Sequence, residues 1–243
     1  MSEGPVGIVT GGLKGIGAAS AVEFGRLGAR MVLAARSLVG GDELVARVHD
    51  AGGEAVLESV DVRDPVAQER LARRATDEWG RIDFLLANAG IADQSRVADG
   101  DPGRWRAVIE TNLLGVMFSC RAVLPTMLAQ GSGHILIMSS VSGRESYVGE
   151  PVYVASKWGQ VGFAHALRLE LLEPGIRVTV VEPGLVDTPL TRDNPKILPL
   201  LEAIEPLTAE DVARAVVFAF QQPPHVAVSE IVVRPQRQLL PEL

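Results

Sequence analysis

A regular alternation of short β-branched runs with longer amphipathic ones constrains this chain more than any other feature. Residues 5–10, 30–35, 54–60, 82–87, 134–139, 176–182 and 226–233 read as strands. Residues 16–27, 38–51, 65–79, 101–130, 151–173 and 209–221 read as helices, the fourth with a break near Glu110 and Thr111. Asp64 ahead of Pro65, and Thr208 ahead of Ala209, supply helix caps. The strand segments VGIV, MVLAA, FLLA and ILIM are apolar throughout, as strands covered on both faces must be. The expected fold is α/β: a doubly wound parallel sheet of about seven strands with helices on both faces, in a single domain over residues 1–243.

Composition narrows the function classes. With 47% hydrophobic and 22% charged residues the chain can fill a sizeable core, and disorder is excluded. A net charge of −7, without an extended basic cluster, argues against a nucleic-acid partner. The one cysteine, Cys120, rules out an internal disulfide or a Cys-based zinc site, and its apolar neighbours mark a buried structural thiol. His49, His134, His165 and His225 lack metal-ligand spacing, so no metal is expected. Residues 1–4 run into the first strand without a basic or apolar leader, and no apolar run reaches the roughly 18 residues of a membrane span. The expectation is a cytoplasmic protein with no membrane partner.

The first strand ends in Thr10-Gly11-Gly12-Leu13-Lys14-Gly15-Ile16-Gly17 and opens into a helix. Glycines there let the backbone turn and approach a pyrophosphate, which the helix N-terminus then stabilises. A plain turn is the alternative, but the place of this loop after the first strand of an alternating chain favours a nucleotide. The second strand exits through Ala34-Ala35-Arg36-Ser37, with no carboxylate to hold a ribose 2′-hydroxyl. Arg36 and Lys14 suit a 2′-phosphate instead, which makes NADP(H) the expected cofactor unless Arg36 is merely a solvated loop residue.

Tyr153 and Lys157 lie four residues apart on one helix face, and Ser140 follows the fifth strand at the carboxyl edge where open α/β sheets bind ligands. Here the chain resembles the classical short-chain dehydrogenase/reductase family over essentially its whole length. The matching pieces are Thr10-Gly11-x-x-x-Gly15-Ile16-Gly17, Asp61-Val62, Asn88-Ala89-Gly90, Asn112, Ser140, Tyr153-x-x-x-Lys157, and Pro183-Gly184 with Thr188. The family usually shows two asparagines before Ala-Gly, where this chain has Ala87-Asn88.

The resemblance implies a Rossmann-like sheet and a carbonyl reductase or alcohol dehydrogenase. Tyr153 would be the acid in reduction and the base in oxidation, its pKa lowered by Lys157, which also holds the nicotinamide ribose. Ser140 would donate to the substrate oxygen, and Asn112 would hold a water linking Lys157 to solvent. Asp61 would accept from the adenine amino group and Val62 cover the ring, with Asn88 and Gly90 beside the adenosine ribose. Residues 183–188 would reach the carboxamide, Val186 through its backbone and Thr188 through its hydroxyl. Taken singly, each has a plain alternative: helix packing for Tyr153, a turn for Ser140, an ordinary buried polar group for Asn112, a solvated charge for Lys157, a strand-end cap for Asp61.

The expected substrate is a small carbonyl or alcohol, chosen by residues 141–150 and 189–205. The second stretch (189–207 as a whole) reads as an apolar lid carrying Leu190, Ile197, Leu198, Leu200 and Leu201. Arg144, Arg192 and Lys196 either attract a carboxylate or are surface charge. The tail around Pro224-His225-Val226 and Glu230–Gln238 is similar to a subgroup that includes clavulaldehyde-type reductases and 3-hydroxy acid dehydrogenases. Helices apolar on more than one face (Met117, Phe118, Val123; Val161, Phe163, Leu169) predict a homo-oligomer, a dimer or tetramer. Two other classes stay open, since a fold does not fix a function: a regulatory protein that binds NADP(H) without turnover, and a partner-binding scaffold.

Overall fold

The computed structural model describes residues 4–194 and 197–238; Lys196 and residues 1–3 lie outside the described residues. Seven strands form one parallel sheet: β1 (Val6–Thr10), β2 (Arg30–Ala35), β3 (Glu54–Ser59), β4 (Phe84–Ala87), β5 (Gly133–Met138), β6 (Ile176–Pro183) and β7 (Glu230–Val233). Their order is β3-β2-β1-β4-β5-β6-β7. The chain winds outward from β1 through β3, then returns to lay β4 on the other side of β1. That reversal opens a crevice beyond the carboxyl ends of β1 and β4, the ligand position of this architecture.

Nine α-helices are described: α1 (Gly15–Gly25), α2 (Gly41–Asp50), α3 (Pro65–Trp79), α4 (Pro102–Ile109), α5 (Gly115–Gln130), α6 (Pro151–Glu170), α7 (Pro189–Arg192), α8 (Leu198–Ala203) and α9 (Ala209–Phe220). One apolar cluster packs α3, α5 and α6 on one face of the sheet through Leu71, Val116, Val123 and Leu167. The other packs α1, α2 and α9 through Phe24, Val48 and Val216. In the second, Phe24 stacks on Phe84 at 4.0 Å while Phe220 meets both edge-on at 5.3 Å. Gly7 on β1 makes the room, because a Cβ there would lie 2.2 Å from the Phe84 ring.

Asp64 and Thr208 cap α3 and α9 as expected, their side chains accepting from the Val66 and Asp211 N–H groups. Four expectations need correction. The break near Glu110 is a π-helical turn, Glu110–Leu114, which keeps α4 and α5 in one continuous helical run. This run, Pro102–Gln130, is long and apolar enough by length and composition to cross a membrane, contrary to the expectation of no such run. Its inner face, with Val116, Cys120 and Met127, is packed into the sheet core, so Cys120 is the buried thiol anticipated.

The last strand is shorter than expected, since the Arg177 guanidinium takes the carbonyls of Gln222 and Val226 and the Arg168 guanidinium that of Ser229. And residues 189–205 are not a bare loop but carry α7 and α8, started by prolines in their first turns.

His134 on β5 is buried, and its Nε2 lies 2.8 Å from the Thr179 hydroxyl. That hydroxyl donates its own proton to the Val228 carbonyl at 2.6 Å, so Nε2 carries the imidazole proton. Burial, aided by the Arg177 charge, pushes the imidazole down to about 3. The unfolded chain takes up a proton below its ordinary value of about 6.5 while the folded one does not, so stability is complete above that pH and is lost as pH falls toward 3. Between pH 6.5 and 5 the unfolding free energy should fall by about 2 kcal/mol more than in His134→Gln, measured by urea titration. Equal slopes in the two proteins would contradict this.

Candidate active site

The glycine loop between β1 and α1 has two residues that only glycine adopts readily, Gly11 at φ +62° and Gly15 at φ +51°. Gly17 is needed for closeness: a Cβ there would fall 2.3 Å from the Gly11 carbonyl and 2.7 Å from the Asn88 amide. Asn88, just past β4, ties the loop down by donating to the carbonyls of Thr10 and Gly11 at 3.1 and 3.0 Å. The Thr10 hydroxyl answers by accepting from the main-chain N–H groups of Asn88 and Ala89 at 3.1 and 3.3 Å. The asparagine kept by this chain is thus the one that holds the loop in shape.

Beside the loop lies a cleft of about 490 Å³. Its walls bring together Gly11, Lys14, Gly15, Ile16, Arg36, Asp61, Val62, Asn88, Gly90 and Thr188 from five separate segments, with Ser37, Leu13, Ile91 and Thr111 as unanticipated neighbours. Lys14 and Arg36 are both exposed at this cleft. A glycine-floored cleft at a helix N-terminus, with two cations on its wall, fits a dinucleotide carrying an additional phosphate.

Asp61 stands on the wall, but both carboxylate oxygens accept from Arg63 Nε at 3.0 Å, and Arg63 Nη2 reaches Oδ2 at 2.6 Å. Oδ1 also accepts from the Arg63 N–H at 3.0 Å, so the strand-end cap is made as well. Hydrogen bonding to Arg63 holds the Asp61 carboxyl below its usual range.

Pro183, Gly184 and Val186 are not on the wall of that volume; they form the exit of β6 that leads to Thr188. Gly184 donates to the Val233 carbonyl at 2.7 Å, and Leu185 N–H to Gln238 Oε1 at 2.9 Å. The tail thereby fixes this exit, and Gly184 admits it, for a Cβ would sit 2.1 Å from Gln238 Oε1. Val186 is buried, and its carbonyl accepts from the Thr191 hydroxyl at 2.6 Å.

Ser140, Tyr153, Lys157 and Asn112 gather at the end of β5, where α6 crosses the π-helical turn. The Ser140 hydroxyl accepts from Ser142 N–H at 3.1 Å, which makes the turn and leaves its own proton to donate. Lys157 Nζ lies 5.6 Å from the centroid of the Tyr153 ring and donates to the Met138 carbonyl at 2.9 Å. Burial pushes Tyr153 up to about 12, countered by a hydrogen bond with Ser140 and reinforced by the Glu150 charge. Burial alone pushes Lys157 down to about 7. Glu150, at the start of α6, is itself pushed up to about 7 by burial while accepting from the Ser142 hydroxyl at 3.3 Å.

The Asn112 side chain does not face Lys157; it clamps Ile91, accepting from its N–H and donating to its carbonyl, each at 2.9 Å, and also donates to the Ser156 hydroxyl at 3.1 Å. The Asn112 main-chain carbonyl accepts from Gln160 Nε2 at 2.5 Å. Gln160 was absent from the sequence-derived set, although it lies seven residues after Tyr153 and shares its helical stripe. Arg144 and Arg192 are engaged elsewhere, Arg144 with buried Glu182 at 2.6 Å and with Glu230, Arg192 with Asp187 at 2.6 Å.

Residues 5–197 match the family model described as short chain dehydrogenase. An uncharacterized oxidoreductase of Staphylococcus saprophyticus is 38% identical over 232 residues, covering 95% of this chain and 97% of that protein. Among solved structures, the closed form of a serine dehydrogenase complexed with NADP+ is 31% identical with a TM-score of 0.90, covering 98% of each chain. A metagenomic short-chain oxidoreductase in complex with NADP is also 31% identical, with a TM-score of 0.83 over 97% of this chain and 99% of that one.

Proposed function

The chain belongs to the short-chain dehydrogenase family, and within it we propose an NADP(H)-dependent carbonyl reductase, reversible as an alcohol dehydrogenase, with Tyr153 as general acid and base. The observation that carries the reading is the buried Lys157 ammonium 5.6 Å from the centroid of the Tyr153 ring, with Ser140 near enough to the same phenol to draw its pKa down. NADP(H) is favoured by Lys14 and Arg36 on the cleft wall and by the NADP reported with the two structural relatives.

Bound NADPH supplies the hydride. The chain supplies the rest. A phenol at about 12 holds its proton at neutral pH and can give it to a carbonyl oxygen as negative charge develops there. Ser140, its lone pair taken by Ser142 N–H, directs its own proton at the same oxygen. Lys157, charged below about pH 7, stabilises the phenolate left behind, so reduction is favoured on the acid side of that value. The expected lowering of the Tyr153 pKa by Lys157 is not met, since burial holds the phenol up at about 12; in oxidation it would act as base once the positive nicotinamide ring of the bound cofactor offsets that burial. Asn112 acts through Ile91, which it fixes on the cleft wall. Asp61 and Val62 would hold the adenine, with Arg63 beside Asp61; Asn88 and Gly90 would hold the ribose side, and the segment through Pro183, Gly184, Val186 and Thr188 would hold the carboxamide.

The substrate is a small ketone or aldehyde, selected by residues 141–150 and by Leu190 of the lid, which reaches the cleft. The protein assembles as a homo-oligomer. What supports this is an apolar groove of about 570 Å³ between α4 and α6, lined by Trp105, Ile109, Leu114 and Val152, and a second of about 310 Å³ where Leu124, Leu128 and Phe163 meet.

NADPH oxidation against a panel of aldehydes, diketones and cyclic ketones tests the chemistry. Turnover should favour NADPH over NADH and drop by at least about a thousandfold in Tyr153→Phe. Binding of NADPH without consumption would point instead to a sensor, and normal turnover by Tyr153→Phe would overturn the role of the phenol. Light scattering at micromolar concentration should give a dimer or tetramer mass; a monomer would overturn the assembly.

A further inference from the structure

Gln160 is fully buried on α6, one turn beyond Lys157, and its side chain spans the gap between two groups of the site. Lys157 Nζ donates to Gln160 Oε1 at 3.1 Å, and Gln160 Nε2 donates to the Asn112 carbonyl at 2.5 Å. The orientation of the amide is forced: an ammonium only donates and a main-chain carbonyl only accepts, so oxygen must face Lys157 and nitrogen Asn112. We propose that Gln160 is the positioning residue for Lys157: its buried amide ties the ammonium to the Asn112 carbonyl and fixes both its direction and its charge. The resemblance gives Asn112 a water that links Lys157 to solvent; here the Asn112 carbonyl and Lys157 are joined by Gln160.

An ammonium has three protons to place. Met138 and Gln160 take two, on the β5 and Asn112 sides, and the third is left for the side of Tyr153. Both acceptors are neutral and buried, so they hold the charged form of Lys157 against the desolvation that opposes it. Among the described residues, no charged side chain substitutes for them. On its own helix Lys157 has the phenol of Tyr153, with Glu150 beyond it bearing on that phenol. Of the elements packed on α6, β5 offers the Met138 carbonyl, and the π-helical turn offers Asn112 with Glu110, which faces Arg63 at 3.9 Å. Glu182 of β6 is paired with Arg144, Arg177 is bonded to the carbonyls of Phe220 and Gln222, and Arg106 of α4 is exposed. Removing the Gln160 oxygen therefore makes Lys157 give up its proton at lower pH, and an anion in its place makes it hold the proton to higher pH.

The consequence for turnover rests on the carbonyl-reductase reading, but the titration of Lys157 does not. The chain has three lysines, Lys14, Lys157 and Lys196, so protein labelled with ¹³C at lysine Cε gives three NMR signals to follow with pH. In Gln160→Met the Lys157 midpoint should move down by about one unit, and in Gln160→Glu up by a similar amount. The alkaline limb of carbonyl reduction should move in the same two directions, with kcat at pH 8 about tenfold lower in Gln160→Met.

Circular dichroism and thermal melting establish that each variant is folded; if only Gln160→Glu folds, its upward shift decides. Midpoints equal to the native one in the folded variants, or displaced in the same direction in both, would overturn the proposal. Shifted midpoints in a protein that reduces no carbonyl would keep it and reject the functional reading instead.

Discussion

A lysine ammonium taken out of water needs acceptors in fixed positions, and the placement of Lys157 organises the elements around it. β5 must end where the Met138 carbonyl can receive one proton. The helical run through α4 and α5 must bring the Asn112 carbonyl within reach of Gln160, which it does at the π-helical turn. α6 must carry Tyr153, Lys157 and Gln160 on one stripe. Burial that disfavours the charge at Lys157 also keeps the proton on Tyr153, and the two opposed tendencies suit a site that donates a proton near neutrality.

The cleft depends on a second set of constraints, linked to the first through Asn112. Asn88 and Thr10 lock the end of β4 to the glycine loop, and the Asn112 side chain holds Ile91 three residues later. One short segment after β4 therefore connects the floor of the cleft to the polar cluster on α6. On the far side the tail does comparable work, with Gln238 and Val233 holding the exit of β6 from which Thr188 projects to the cleft. Glu182 is left buried with Arg144 as its cation, which joins the segment after Ser140 to the same strand.

The sheet and the polar cluster were largely legible because strand burial and helical period leave direct marks on a sequence. The caps Asp64 and Thr208 were legible for the same local reason. What the pattern did not reveal depends on partners distant in the chain. Val226 and Val228 look like strand residues, yet Arg177 and Arg168 take carbonyls of that segment for themselves. A π-helical turn has no residue signature of its own, so Glu110–Leu114 registered only as an interruption. Asp61 looks free for a ligand in the sequence, but Arg63, two residues away, is bonded to both of its oxygens. A glutamine on a helix face is common, so the pattern does not mark Gln160; its importance follows from being buried between a donor and an acceptor.

The central claim is hydride and proton transfer to one carbonyl, with the proton from Tyr153. It is tested most directly by supplying NADPH deuterated at both C4 positions and a turned-over ketone in ordinary water. The account predicts deuterium on the carbinol carbon and ordinary hydrogen on its oxygen, with a rate slowed by the label when hydride transfer limits a single turnover. Product alcohol without deuterium on that carbon would contradict it.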